Sequence, residues 1–146
     1  MKLTTRTRYG VRALLEIARA GGDSPVSLKE IAERQSLSTK YLERLFSALQ
    51  RAGLLVSARG PGGGYLLSRE PAQISLREVY EVLEGSSGFV DCTTRADECK
   101  VASVCVTRDV WTKMYDASMA VLESTTLLDL VEQLEQSEHS QSMYYI

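Results

Sequence analysis

Three cysteines lie close together in the second half of the chain, and their type and spacing could do specific chemistry. Cys92, Cys99 and Cys105 are separated by six and five intervening residues. Thiolates are soft ligands that favour iron–sulfur clusters or zinc, so cysteines on one loop can converge on a metal. The intervals match neither the paired C-x2-C knuckles of zinc ribbons nor the C-x2-C runs of ferredoxins. On spacing alone, three thiols without a ligand remain the alternative.

A glycine-rich stretch is the second distinctive feature. Residues 59–65 read Arg-Gly-Pro-Gly-Gly-Gly-Tyr, which cannot be the interior of a helix or strand, because Gly loses much backbone entropy on ordering and Pro lacks an amide hydrogen. Apolar residues flank the stretch, so the sequence predicts a β-hairpin with a thin tip. Arg59 stands at the base of that tip, and a bare backbone carrying one arginine suits a DNA minor groove. An ordinary Gly-rich surface turn is the alternative.

The segment before this hairpin has the pattern of a helix-turn-helix. Apolar residues recur every three or four positions over residues 6–20, which predicts a first helix. Ser27 opens a capping box that predicts a short helix to about Gln35. Ser38 then caps a longer helix with one apolar face, and Gly53 is placed to end it. In a helix-turn-helix, the N-terminal residues of that second helix meet base edges.

Charge is divided unevenly along the chain. Residues 1–69 hold 12 Lys and Arg against 5 Asp and Glu, whereas residues 70–146 hold 5 Lys and Arg against 14 Asp and Glu. The first half of the chain is therefore basic and the second half acidic, although the net charge is only −2. This is typical of a nucleic-acid-binding face joined to a part that does not touch nucleic acid. No apolar run approaches the roughly 18 residues of a membrane helix, and the N-terminus lacks the apolar core of a signal peptide, so we expect a cytoplasmic protein.

The second half of the chain predicts helices outside the DNA-binding unit. Ser75 opens another capping box, and Gly85 is placed to end its helix. A long helix is predicted from about Ser103 to Glu123, and its wide apolar stripe favours a dimer helix, with packing on its own domain as the alternative. A last amphipathic helix is predicted through Leu134.

These elements predict a fold that is mainly α with a small β-hairpin, namely a winged helix-turn-helix domain plus a long dimerisation helix. Residues 1–84 are expected to form the winged helix-turn-helix DNA-binding domain, and residues 85–105 the cysteine-bearing cluster loop. Residues 103–134 are expected to form the dimerisation helix and C-terminal helix. Residues 135–146, which hold His139, the single histidine, are predicted to be a disordered tail.

With these motifs in this order, the chain resembles the IscR/NsrR-type family of winged-helix iron–sulfur regulators from Met1 to about Leu134, and the IscR branch most. The resemblance implies a homodimeric transcriptional regulator that binds a near-palindromic operator in double-stranded DNA and controls genes such as those for cluster biogenesis. It also implies an iron–sulfur cluster on the three cysteines, with a [2Fe–2S] centre favoured over a [4Fe–4S] centre. The matching segments are residues 1–4 with Arg8 and Tyr9, residues 37–43, residues 59–67, and Cys92, Cys99 and Cys105.

The resemblance places Ser38, Thr39 and Glu43 at base edges. A carboxylate near DNA is repelled by phosphate, so Glu43 is tolerable chiefly where it accepts a hydrogen bond from a cytosine amino group. The alternative is a solvated side chain that pairs with Lys40 or Ser47.

The resemblance also implies contacts to the sugar–phosphate backbone and to the minor groove. Tyr41 and Arg51 would support the backbone contact, and Arg59 would enter the minor groove. Lys40 and Arg44 suit phosphate contacts, which add affinity but carry no sequence information. The implied DNA-binding set is Ser38, Thr39, Lys40, Tyr41, Glu43, Arg44, Arg51, Arg59 and Gly60.

The fourth cluster ligand departs from the family pattern. Where the IscR branch has a histidine three residues after the last cysteine, this chain has Arg108, which stays protonated and cannot ligate. Where the nitric-oxide-sensing branch has an aspartate near the N-terminus, this chain has Arg8. An iron open to solvent, a thiol or a small molecule is equally compatible with the sequence. The side chains that remain as ligand candidates are Asp97, Glu98, Asp109, Glu43 and His139.

Two further functions stay open as alternatives. The first is a winged-helix regulator that responds to nitric oxide, or to thiol redox state or a partner protein without a cluster. The second is an enzyme, which the sequence disfavours: it has no nucleophile motif, and the glycine run lacks the Lys-Ser/Thr ending of a phosphate-binding loop. We therefore expect no enzymatic activity.

Overall fold

The computed structural model describes residues 3–22, 24–85, 95 and 99–143. Within these residues the chain forms six α-helices, one short 3-10 turn (Pro71–Gln73) and one antiparallel hairpin, which confirms the prediction of a mainly α fold with a small β-hairpin. The helices are α1 (Thr5–Arg19), α2 (Leu28–Gln35), α3 (Thr39–Arg51), α4 (Leu76–Glu84), α5 (Val106–Ser124) and α6 (Leu127–Met143). The strands are β1 (Leu55–Ala58) and β2 (Gly64–Leu67).

Local sequence signals set the ends of the first helices. The hydroxyls of Ser27, Ser38 and Ser75 each accept a hydrogen bond from the backbone amide three residues later, at 3.1, 3.2 and 3.3 Å. These contacts satisfy amides that have no partner inside the helix. Gly53 and Gly85 follow α3 and α4 with φ of 75° and 81°, a backbone conformation that glycine adopts readily. The predicted starts and ends of these helices are confirmed.

One hydrophobic core holds five of the helices and the hairpin together. Helix α3 contributes an apolar face of which Leu42, Phe46 and Leu49 are fully buried. Each such side chain stabilises the fold by about 1.5–3 kcal/mol on burial, so the opposite face of α3 is held outward. The other fully buried residues of this core are Ala13, Leu14, Ile17, Ile31, Leu54, Ile74, Val79, Leu83 and Leu127.

The hairpin is supported by a third extended segment. Val26 and Tyr65 exchange two backbone hydrogen bonds of 3.0 and 2.9 Å across an antiparallel bridge. A Cβ atom on Gly64 would lie 2.3 Å from the carbonyl oxygen of Val26, so this close approach requires glycine. Gly60 and Gly62 at the hairpin tip have φ of 100° and 76°, which side-chain-bearing residues rarely adopt. The glycine run is thus required by the geometry of the wing, the name we use for residues 55–67.

The last two helices are attached to the rest of the fold where they meet. The amide of Leu76 donates to the carbonyl of Thr125 at 2.8 Å, and the amide of Leu127 donates to the carbonyl of Ile74 at 3.0 Å. Helix α6 adds Leu127 and Val131 to the core, whereas Met119 is the only buried side chain of α5. Helix α5 is therefore anchored at its C-terminal end.

Helix α6 is longer than its predicted end at Leu134. It continues to Met143 through residues for which a disordered tail was expected, and no Gly or Pro interrupts it. Glu138 in this extension accepts a hydrogen bond from Arg19 of α1 at 3.0 Å, which ties the added turns to the fold. Residues 144–146 lie outside the described part of the chain.

Candidate nucleic-acid interface

The exposed face of α3 carries most of the predicted DNA-binding residues. Lys40, Glu43, Arg44 and Arg51 are exposed and, with Ser47, border one shallow depression. The face combines three cations with one carboxylate. The cations suit contacts with DNA phosphates, and the carboxylate suits recognition of a single base. The structure thus brings four of the predicted residues onto one surface.

Two more predicted residues stand at the start of α3. Ser38 and Thr39 are both exposed. The Ser38 hydroxyl accepts from the amide of Tyr41 at 3.2 Å, and because a hydroxyl can donate as well as accept, the cap leaves its O–H group able to donate to a base edge.

Tyr41 differs from its neighbours because its ring turns towards the core. The ring is half-buried and meets the ring of Tyr9 edge-on, with centroids 6.1 Å apart. Its hydroxyl is buried and has no hydrogen-bond partner among the described residues. Leaving a buried hydroxyl without a partner costs about 1–3 kcal/mol, so the fold retains an unfavourable group at the junction of α1 and α3.

Glu43 has no partner of its own within the described part of the chain. It forms no ion pair or hydrogen bond there, so the alternative in which it pairs with Lys40 or Ser47 is not observed. An exposed carboxylate flanked by cations and without a partner can accept a hydrogen bond from outside the protein.

The wing is fixed next to α3. The rings of Phe46 in α3 and Tyr65 in β2 pack edge-on with centroids 4.8 Å apart. The amide of Gly63 donates to the carbonyl of Gly60 at 2.9 Å and closes the tip. Arg59 and Gly60 are both exposed at this tip. The wing is therefore held against α3 through the core, and Arg59 is exposed at its tip.

Two of the three predicted cluster ligands lie in the described residues, and Cys92 lies outside them. Cys99 and Cys105 are partly exposed and are not paired in a disulfide. A hydrogen bond with the Thr107 hydroxyl, at 3.3 Å, and the amide and charge of Arg108 hold the pKa of Cys105 below its usual value. Both thiols are thus accessible and free of disulfides, and Cys105 favours its ionised form. These properties suit a metal or cluster that is bound by thiolates. Among the described residues, no three His, Cys, Asp or Glu side chains converge into a metal site.

The candidates for a fourth ligand are dispersed. Glu43 lies on the exposed face of α3, Asp109 is exposed in the first turn of α5, and His139 is exposed near the end of α6. Asp97 and Glu98 lie outside the described residues. In place of the family's histidine, Arg108 adds positive charge beside Cys105. Asp109 follows Cys105 by one helical turn, but none of the three described candidates joins the described cysteines in a group of three possible ligands.

Helix α5 presents an apolar stripe to solvent. Val106, Val110, Met114 and Val121 are between 46% and 82% exposed, and their spacing of four, four and seven places them along one side of the helix. Trp111 is also exposed beside them. An exposed stripe of this kind marks an interaction surface. No helix among the described residues is both long and apolar enough to cross a membrane.

Sequence reasoning missed a hydrogen-bonded group at the start of α3. Arg12 donates through Nε to Oε1 of Gln35 at 2.6 Å, and the Gln35 amide donates to Oε1 of Glu16 at 2.5 Å. Glu16 also accepts from Arg34 at 3.2 Å. These residues come from α1 and α2, which are far apart in sequence, so no local pattern could have indicated the group.

Comparison with known proteins points to one family. The sequence family described as "Rrf2: Iron-dependent Transcriptional regulator" matches residues 3–133. "Protein rrf2" of Nitratidesulfovibrio vulgaris is 43% identical over 131 residues, which cover 90% of this chain and 87% of that protein. "HTH-type transcriptional regulator CymR" of Bacillus subtilis is 40% identical over 146 residues, which cover all of both chains.

Two solved structures are similar over most of the chain. The structure of CymR, "the Global Cysteine Regulator of B. subtilis", has a TM-score of 0.78 at 40% identity and covers 91% of this chain and 98% of that one. The structure of "T. potens IscR" has a TM-score of 0.76 at 42% identity and covers 99% of this chain and 97% of that one. The relatives thus include regulators with different names on the same winged helix-turn-helix fold.

Proposed function

Because this chain belongs to the Rrf2 family of transcriptional regulators, we propose that it is a cytoplasmic, homodimeric DNA-binding protein that senses iron–sulfur cluster status through Cys92, Cys99 and Cys105. The observation that carries the DNA-binding part is the exposed cluster of Lys40, Glu43, Arg44 and Arg51 on α3, beside a wing that the packing of Phe46 on Tyr65 holds against that helix. Genes for cluster biogenesis are the targets that the family resemblance suggests.

The recognition surface divides into residues that supply affinity and residues that supply specificity. Lys40 and Arg44 bind phosphates, which gives salt-dependent affinity for any sequence. Glu43 accepts a hydrogen bond from a cytosine amino group in the major groove, and Ser38 and Thr39 contact neighbouring bases. Arg59, with Gly60 beside it, enters the minor groove, where a narrow groove strengthens its electrostatic attraction.

A second copy of the chain covers the apolar stripe of α5. Two copies related by a two-fold axis place two recognition helices on one side of the DNA, so the operator is near-palindromic with half-sites about one or two helical turns apart. Support for this arrangement comes from Val106, Val110 and Met114, which stay 82%, 52% and 46% exposed in the single chain.

The cysteine segment is proposed to hold an iron–sulfur cluster, with a two-iron centre favoured over a four-iron one. When bound, the cluster supplies iron that reacts with oxidants and small ligands. The chain's own part is to present thiolates, and the contacts of Thr107 and Arg108 favour the ionised form of Cys105. Cluster occupancy changes DNA affinity only if it stabilises one arrangement of the recognition helices more than another.

The alternative is the same DNA-binding dimer without a cluster. The lowering of the Cys105 pKa by Thr107 and Arg108, with the partial exposure of its thiol, favours a thiol that responds to oxidants, and Arg108 in place of a histidine removes a family ligand. Similarity to a protein named for global cysteine regulation is compatible with this alternative. Nitric oxide and a partner protein remain rival signals for the same surface.

An anaerobic absorption and Mössbauer spectrum of the freshly isolated protein separates these proposals. We expect cluster signals in the wild type that are absent when Cys92, Cys99 and Cys105 are all replaced by Ala, and the Mössbauer parameters then distinguish two-iron from four-iron centres. An iron-free wild type that also resists anaerobic reconstitution would favour the alternative. The circular dichroism spectrum of the variant controls for loss of fold.

DNA binding is tested separately by selecting duplexes from a randomised pool with the wild-type protein. We expect enrichment of a near-palindromic sequence. Glu43→Ala is expected to relax the preference at one symmetric pair of positions, because each lost base contact removes about 1–3 kcal/mol of discrimination. A pool that shows no enrichment would contradict the DNA-binding proposal.

A further inference from the structure

Arg12 lies on α1, outside the residues so far assigned to DNA, yet its guanidinium is held at the end of α2, just before the turn into α3. Its Nε donates to Oε1 of Gln35 at 2.6 Å. Gln35 is the last residue of α2, and the turn that follows it leads directly to Ser38 and α3. The contact therefore fixes the position of the guanidinium relative to the helix-turn-helix.

A second contact holds the same group from the other side. The Cζ atom of Arg12 lies 5.8 Å from the ring centroid of Tyr9, within the range of a cation–π interaction. That ring in turn meets the ring of Tyr41 in α3. Two independent contacts thus orient one guanidinium beside α3.

The Gln35 side chain cannot turn away easily, because its amide nitrogen is also engaged. It donates to one carboxylate oxygen of Glu16 at 2.5 Å, while the other oxygen of Glu16 accepts from Arg34 at 3.2 Å. Because the amide nitrogen of Gln35 is held by Glu16, its oxygen stays directed at Arg12. Arg34 is shared between Glu16 and Glu30, and Glu16 forms no ion pair with Arg12 among the described residues.

Arg12 itself has no carboxylate partner among the described residues, and it is exposed. Its two terminal nitrogens carry N–H groups that no described residue accepts. Arg19, at the other end of α1, contrasts with it, because Arg19 is paired with Glu138 at 3.0 Å. A charged guanidinium that is oriented in advance and has free donors is suited to bind a phosphate.

We propose that Arg12 binds a DNA backbone phosphate at the edge of the major groove that receives α3, and that Gln35 and Tyr9 position it for that contact. The inference rests on the proposed DNA-binding function and adds a contact from α1 to it. Because a phosphate is the same in every sequence, Arg12 adds affinity without adding base preference.

The test measures DNA affinity against salt concentration for the full-length protein. The probes are a duplex of about 30 base pairs enriched by the wild type from a random pool and a shuffled duplex of the same composition. Arg12→Ala is expected to reduce the slope of log K against log [salt] by about 0.9 for each lost contact, hence by about two for a dimer. The affinity is expected to fall by a similar factor on both duplexes.

Two further variants separate the charge from its orientation. Arg12→Lys keeps the charge but loses the fork of donors, so we expect most of the slope to remain while affinity falls several-fold. Gln35→Leu removes the positioning contact and leaves the charge, so it too is expected to lower affinity with little change of slope. Such a split distinguishes a positioning role from a merely structural one, which would also lower the melting temperature.

Arg19→Ala is the matched control, because it removes one arginine from the other end of α1, and we expect no change of slope. An Arg12→Ala protein that melts like the wild type and keeps its slope and affinity would overturn the inference while leaving the proposed function intact. A loss confined to the enriched duplex would also overturn it, because it would indicate base recognition. If the wild type enriches no duplex, the proposed function fails and this inference fails with it.

Discussion

At the scale of single residues, the hydroxyl of Tyr41 is a group that lowers the stability of the fold. The hydroxyl is buried without a partner among the described residues, at the junction of α1 and α3. Phenylalanine would fill the same space without that cost. A side chain that weakens the fold beside a binding surface is expected to contribute to binding.

Tyr41→Phe is therefore predicted to change stability and DNA affinity in opposite directions. The free energy of unfolding should rise by up to about 1 kcal/mol, because the unsatisfied hydroxyl is removed. DNA affinity should fall about five- to tenfold if the hydroxyl reaches the sugar–phosphate backbone in the complex. Urea denaturation and fluorescence anisotropy measure the two quantities. A variant that is more stable and binds DNA unchanged would remove Tyr41 from the implied contacts.

Glu84 joins the end of α4 to the start of α1. Burial alone would raise the pKa of its carboxyl, but hydrogen bonds from Thr4 and Thr7 outweigh burial and lower that pKa below its ordinary value of 4.5. One carboxylate oxygen accepts from both threonine hydroxyls, that of Thr7 at 2.6 Å. Because the folded-state pKa is lowered, this contribution to stability is present above pH 4.5 and is lost as the pH falls through the folded-state value.

Glu84→Gln is accordingly predicted to lower the free energy of unfolding by about 1 kcal/mol at pH 7, since hydrogen bonds to a charged acceptor are lost. The difference from the wild type should shrink as the pH falls from 4.5 through the lowered pKa of the wild-type carboxyl. Urea denaturation at a series of pH values provides the measurement. Glu33→Gln is the control: its exposed pair with Lys29, at 3.9 Å, should contribute less than about 0.5 kcal/mol. A pH-independent difference would contradict the assignment.

At the scale of secondary-structure elements, capping residues and glycines in the sequence predicted most of the helix starts and ends. Serine caps set the starts of α2, α3 and α4, and glycines set the ends of α3 and α4, because these signals act within one turn of helix. The length of α6 was missed, since its ion pair with Arg19 joins residues 119 positions apart. For the same reason, the packing of Phe46 on Tyr65 and the contact of Arg12 with Gln35 could not be predicted: both depend on how elements meet in space.

The wing offers an element-scale test of why its glycines are needed. Gly64→Ala places a methyl group against the Val26 carbonyl, 2.3 Å from where the Cβ atom would stand, so the bridge that supports β2 must shift. We predict a loss of about 1–3 kcal/mol in the free energy of unfolding and weaker DNA binding, because the wing moves relative to α3.

Gly62→Asn is the matched control for that change. Gly62 has φ of 76° and no atom within 4 Å of an added Cβ, and asparagine tolerates this conformation better than other side chains. Its effect on stability should stay below about 1 kcal/mol. Thermal melts of both variants provide the comparison. Equal melting temperatures for Gly64→Ala and the wild type would show that the bridge is not needed.

At the scale of the whole molecule, charge and exposed apolar surface are separated. The basic first half holds the residues proposed to contact DNA, while the acidic second half includes α5, whose C-terminal end is tied to the first residue of α4 through the Leu76 amide and the Thr125 carbonyl. A helix anchored at one end and apolar on an exposed side is suited to pair with a copy of itself. Cys105 is the residue immediately before the first turn of that helix, so in the proposed dimer a change at the cysteine segment would act directly on the element that sets the spacing of two recognition helices.

The stripe on α5 therefore predicts how dimerisation and DNA binding are linked. Val110→Glu places a charge in the middle of the stripe, where Val110 is 52% exposed in the single chain, and a buried unpaired charge in a dimer is strongly unfavourable. We predict a monomer by analytical ultracentrifugation at micromolar concentration. The affinity for a two-half-site duplex should fall about 100-fold or more, because each monomer then binds one half-site without the effective concentration of its partner. Asp116→Lys, at an exposed position off the stripe, should remain dimeric. If Val110→Glu also remains dimeric, the contact between copies lies elsewhere, and the coupling of the cysteine segment to half-site spacing through α5 loses its basis.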